Sequence, residues 1–171
     1  MKVNHVIVAL GILAGGAAWA DAPQPPKNVD VEPTTPKAAA LTSRAASAEM
    51  AGDPQAALKL ADQAIAANPR DPWGYYDRAM ALSRVGQIDR ALESFVQAEQ
   101  RYAANDRWGK SVAIYGRAHA LSEAGRCGEA LQTFGVYASL VREQDPKSAN
   151  LAIKYGDECR SPAAPPRAAR R

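Results

Sequence analysis

Between Gly86 and Ala98 the chain reads GQIDRALESFVQA, with small or aromatic residues at Ala91, Phe95 and Ala98. Spacings of i, i+4 and i+7 put these three on one stripe of an α-helix. Gly86 stands just before that stripe, after ALSRV, where a helix ends and only glycine takes positive φ without strain. The same arrangement occurs upstream, with Gly52, Ala57, Ala61 and Ala64, and downstream, with Gly125, Ala130, Phe134 and Tyr137. The glycines are 34 and 39 residues apart, so each unit has the length of one helical hairpin.

Helix starts are marked by three Asp-Pro pairs, Asp53-Pro54, Asp71-Pro72 and Asp145-Pro146. An aspartate accepts hydrogen bonds from the first free N–H groups, and proline at the first helical position has none to leave unpaired. Together with the periodicity they predict helices at about 38–50, 54–67, 72–84, 88–103, 107–123, 128–142 and 146–158. Asp71-Pro-Trp73-Gly74 is echoed by Asp106-Arg-Trp108-Gly109. If the two tryptophans are equivalent, four of the five extra residues before Gly125 lengthen the fifth helix by roughly one turn.

These residues resemble the tetratricopeptide repeat family. That motif has small residues where the two helices of a repeat cross, an aromatic further along the second helix and a proline after it. Tyr75, Gly86, Ala91, Phe95 and Ala98 match it in a middle repeat over about 72–100. A first repeat, over about 38–70, keeps Gly52, Ala57, Ala64 and Pro69; a third, over about 111–145, keeps Ala118, Leu121, Gly125, Ala130 and Phe134. The resemblance implies an all-α solenoid of three tetratricopeptide-like hairpins over 38–160, with the seventh helix capping the exposed face of the last.

It also implies a groove lined by the first helix of each repeat. Carried over by motif position, that groove receives Trp73, Tyr76, Met80 and Arg84 from the middle repeat and Tyr115, His119 and Glu123, with Val112, from the third. Thr42, Ala46 and Glu49 come from the first. Tyrosine and tryptophan offer large contact areas with few torsions to freeze, which suits binding a protein or peptide. Chaperone-binding members hold a terminal carboxylate with lysines and asparagines. Here Thr42, Ala46, Asp77, Val112 and Gly116 stand at such positions, so that mode is not expected.

Residues 1–20 have a short basic start, an apolar run from Val6 and Ala18-Trp-Ala20 before Asp21, the anatomy of a leader cleaved after Ala20, with an uncleaved anchor as the alternative. The expected compartment is therefore outside the cytoplasm, the periplasm first, with a secreted or envelope-associated location as alternatives. Residues 21–37 hold five prolines and little to bury, and are expected to be a disordered linker. Residues 161–171 form a second such tail, carrying Arg167, Arg170 and Arg171. Cys127 begins the sixth helix and Cys159 ends the seventh; antiparallel neighbours bring those ends together, and an oxidising compartment predicts a Cys127–Cys159 disulfide.

Composition narrows the function. Twenty-one basic against 18 acidic residues give +3, which falls to +2 without the leader's Lys2 and gives no case for nucleic acid. His119 is the one histidine beyond the leader, and no second histidine or cysteine has metal-ligand spacing to it. No phosphate-cradling glycine motif, nucleophile–base pair or carboxylate pair suited to acid/base work is evident. The sequence thus predicts no enzyme, cofactor or metal, but a binding scaffold for a protein or peptide partner in an envelope complex. The alternative is an envelope factor whose basic tail makes peripheral contact with an anionic polymer or lipid.

Overall fold

A computed structural model describes residues 34–160; the expected leader and its cleavage point, the expected linker up to residue 33 and the expected basic tail 161–171 lie outside the described residues. Among them are seven helices: α1 Pro36–Met50, α2 Pro54–Ala67, α3 Pro72–Arg84, α4 Ile88–Arg101, α5 Arg107–Glu123, α6 Cys127–Val141 and α7 Pro146–Arg160. None is long and apolar enough to cross a membrane.

Helix starts follow the side-chain chemistry. Asp53, Asp71, Asp106 and Asp145 accept from Ala56 N at 2.9 Å, Trp73 N at 3.0 Å, Gly109 N at 2.7 Å and Ser148 N at 3.0 Å. α1 begins at Pro36, two residues before the predicted start, because Thr35 accepts from Ala38 N and Pro36 takes the first helical position. Its first turn thus belongs to the repeats and not to the linker. The hairpins turn at Gly52, Gly86 and Gly125, with φ of 76°, 78° and 73°, a region that side chains with a Cβ rarely enter.

Asp145 also accepts from Ser148 Oγ at 2.5 Å, and these two bonds hold its carboxyl below the usual carboxylate range. Asp145→Ala is expected to cost about 1 kcal/mol at pH 7. A depressed folded-state pKa stabilises above the unfolded value, about 3.9, and that advantage fades as the pH falls through the lower folded value. Urea unfolding of the two proteins at pH 7 and pH 3 tests both clauses; an equal gap at the two values would remove the cap as its cause.

Each helix packs antiparallel on the next, and the first helices also meet across hairpins, α1 on α3 and α3 on α5. The second helices α2, α4 and α6 have no comparable contact with each other, so the stack curves with the first helices inside. Its core is small residues plus a few rings: Ala57, Ala61, Ala79, Ala91, Ala98, Ala118 and Ala130 are fully buried among Phe95, Phe134 and Tyr137. Alanine at the crossings lets backbones approach closely while each ring fills the gap between two hairpins.

α5 has 17 residues against 13 in α3, which is the predicted extra turn. Two glycines of this helix stand where rings press on it. A Cβ at Gly109 would lie 2.2 Å from the Tyr102 ring, and one at Gly116 would lie 2.6 Å from the Phe95 ring.

Candidate functional site: an aromatic and acidic face on the first helices

The site begins at the first turns of α3 and α5. There Trp108 lies beside Trp73, with ring centroids 5.7 Å apart. Trp73 also meets the Tyr102 ring edge-on at 5.7 Å and that of Tyr76 at 5.8 Å, and Tyr76 meets Phe95 at 5.8 Å. Edge-to-face pairs at these distances are mutually attractive. Trp73, Tyr76 and Trp108 are half-buried, and Met80 packs beside Tyr76 against Ala79 and Phe95. Part of each side chain is core and part is surface.

The predicted groove residues divide into two groups. Trp73, Tyr76 and Met80 belong together on α3, with exposed Arg84 one turn on. Tyr115 and His119 do not face them across an open cleft. They are 3% and 4% exposed and join a second cluster. There Tyr115 lies 5.0 Å from Tyr137, and His119 lies 4.4 Å from Tyr115, 5.1 Å from Phe134 and 5.4 Å from Tyr155 of α7. These positions face a seventh helix, which the motif carry-over did not include in the groove. Glu123 remains exposed at the end of α5.

The sequence singled out neither Trp108 as a neighbour of Trp73 nor the acidic residues as a group. Glu49 Oε2 takes a long bond from Arg84 Nε at 3.4 Å, while its Oε1 is buried and accepts nothing among the described residues. Asp77 Oδ2 is in the same condition. Burial first, then the nearby Asp71 and Glu49, push the Asp77 carboxyl well above its ordinary range. Burial also raises Glu49, with Arg84 opposing. Asp71 is different, since both oxygens are used: Oδ1 by Trp73 N and Oδ2 by the Thr34 hydroxyl. The signal for this group was Asp77 standing where a clamp for a terminal carboxylate would need lysine or asparagine.

Cys127 and Cys159 form the predicted disulfide, with Cα atoms 5.3 Å apart. It joins the start of α6 to the end of α7, and Cys159 Sγ lies 3.8 Å from Ser122 O near the end of α5. No group of histidine, cysteine, aspartate or glutamate suited to a metal ion occurs among the described residues.

A tetratricopeptide repeat family model matches residues 60–93, from within α2 to within α4. The fold is a tetratricopeptide-repeat solenoid. The small glutamine-rich tetratricopeptide repeat-containing protein 2 of Mycosarcoma maydis is 34% identical over 98 residues, 57% of this chain and 26% of that protein. Human tetratricopeptide repeat protein 28 is 31% identical over 102 residues, 60% of this chain and 4% of that protein. The chain thus spans about a quarter of the first relative and a small part of the second.

Among solved structures, the TPR2B domain of yeast Sti1 in its pHsp70 complex superimposes with a TM-score of 0.62 at 18% identity, covering 74% of this chain and all of that one. The TPR2AB domain of yeast Sti1 in its pHSP90 complex gives 0.61 at 19%, covering 72% of this chain and 48% of that one. At these identities the likeness is one of fold. The tetratricopeptide-like arrangement inferred from Ala91, Phe95 and Ala98 is therefore the observed fold.

Proposed function

We propose that this protein is an exported, non-catalytic scaffold that holds an extended segment of a protein partner on the inner face of its repeats within an envelope complex. The observation that carries it is the continuous half-buried strip of Trp73, Tyr76 and Met80 on α3, with Arg84 and Glu49 beside it. Among the described residues the large apolar side chains that stand well out of the surface, Met50 and Val136, lie on other helices, α1 and α6. A strip that is both wet and apolar, rimmed by charge, is the form a peptide anchor takes. The Sti1 domains that share the fold were solved as complexes, which supports the reading. The leader at 1–20 and the Cys127–Cys159 disulfide support export, because disulfides persist in oxidising compartments.

Photocrosslinking in intact cells tests it. A photoreactive residue at Met80 or Arg84 is expected to capture one partner protein that the same residue at Val136, on the exposed side of α6, does not. Met80→Ser with Tyr76→Ala should weaken that partner at least tenfold, about 1.4 kcal/mol, with far-UV circular dichroism unchanged. Tyr115 is left intact in this test because it is part of the core. Capture at Val136 and not at Met80 would move the site to the outer face.

A further inference from the structure

The inner face carries two buried carboxylate oxygens that accept no hydrogen bond, Glu49 Oε1 and Asp77 Oδ2, and one cation near them, Arg84, already directed at Glu49 Oε2. Asp71 adds a third carboxylate, itself fully engaged. Beside them stand the ring faces and edges of Tyr76 and Trp73. Unpaired carboxylate oxygens next to aromatic surface are complementary to a guanidinium, which donates several N–H groups and stacks on rings. Arg78 and Arg101, the next arginines of this hairpin pair, are committed to Ser94, Gln97 and Pro69 on the other side of Tyr75.

The chain itself has a segment of the right chemistry. Residues 161–171 read SPAAPPRAARR, with three arginines and three prolines. Their point of departure is fixed, because the Cys127–Cys159 disulfide and the approach of Cys159 Sγ to Ser122 O hold the end of α7 beside the end of α5. That is the same end of the first helices at which Arg84 and Glu49 pair. Arg167 is seven residues beyond Arg160, roughly 22 Å at about 3.1 Å per residue for a proline-rich chain. Neighbouring helix axes lie roughly 8–10 Å apart, so the two steps from the end of α7 past α5 to α3 take roughly 16–20 Å, within that reach.

We propose that residues 161–171 dock in cis on the inner face, with Arg167 against Asp77 and Glu49 and the flanking prolines on Tyr76 and Trp73, so that a partner must displace the tail. This rests on the inner-face reading above and adds its occupant in the unengaged protein. A tethered segment binds at an effective concentration in the millimolar range, so an interaction weak between separate molecules suffices to fill the site.

The test uses the full chain, a chain lacking residues 161–171, and a fluorescent SPAAPPRAARR peptide. The peptide is expected to bind the tail-less chain and to bind the full chain at least tenfold more weakly. Asp77→Asn and Glu49→Gln in the tail-less chain should each weaken it at least tenfold, as should Arg167→Ala in the peptide, a change that leaves the protein's folding untouched. No binding to the tail-less chain, equal binding to both chains, or indifference to Arg167→Ala would overturn the proposal. Crosslinking at Met80 separates the two readings. If the tail-less chain still captures its partner there without binding the peptide, the tail proposal alone falls; if it captures nothing there, the inner-face reading falls with it.

Discussion

Phe95→Ala is expected to destabilise the protein by about 3–5 kcal/mol, a large share of the roughly 5–15 kcal/mol typical of a whole domain. The ring is 1% exposed on α4 and touches both neighbouring first helices. On one side it meets Tyr76 of α3; on the other it lies against the backbone of α5 at Gly116, where a Cβ would approach to 2.6 Å. Truncation leaves a cavity that straight helices lined with alanine cannot fill by relaxing. Because repeats couple mainly to their nearest neighbours, the loss falls on the joint between the second and third hairpins. Denaturation followed by tryptophan fluorescence, with Trp73 and Trp108 close to that joint, should separate from denaturation followed by far-UV circular dichroism. Coincident curves with a loss under 1 kcal/mol would show that Phe95 does not hold the joint.

Opening the Cys127–Cys159 bond should have the next largest effect. The cysteines are 32 residues apart in sequence, and closing a loop of that length removes unfolded-state entropy worth about 2–4 kcal/mol. The bond also secures the last helix, which among the described residues packs chiefly on α6. For a domain of this size the cost corresponds to a fall in Tm of roughly 8–16 °C, in the reduced protein and in the Cys127→Ala, Cys159→Ala double variant alike. α7 should keep its helix, because Gly156 lets it lie directly on Leu131 of α6, where a Cβ would come within 2.7 Å of the leucine's Cδ1. An unchanged Tm with both thiols shown to be free would mean that packing alone fixes the cap.

The sequence by itself determined the solenoid and most of its joints. Asp-Pro pairs, turn glycines and the Ala91–Phe95–Ala98 stripe act through local hydrogen bonds, φ preferences and one-helix periodicity. Those rules need no knowledge of distant residues, and six of the seven helices begin within one residue of where they place them. The exception, α1, was missed because Thr35-Pro36 reads as linker unless the hydroxyl is seen to cap the helix. The Cys127–Cys159 pairing was legible for a related reason, since antiparallel neighbours joined by a short turn leave little choice of which ends meet.

Only the tertiary structure decided which surface is open. Tyr115 and His119 have the same motif credentials as Tyr76 and Met80, yet they are buried among Phe134, Tyr137 and Tyr155. Periodicity assigns a residue to a face of its own helix, but what lies against that face depends on helices far along the chain. The same limit hid the meeting of Trp73 with Trp108 and the unpaired oxygens of Glu49 and Asp77. Whether a carboxylate finds a donor is settled by the three-dimensional positions of groups 28 or more residues apart, which no local pattern encodes.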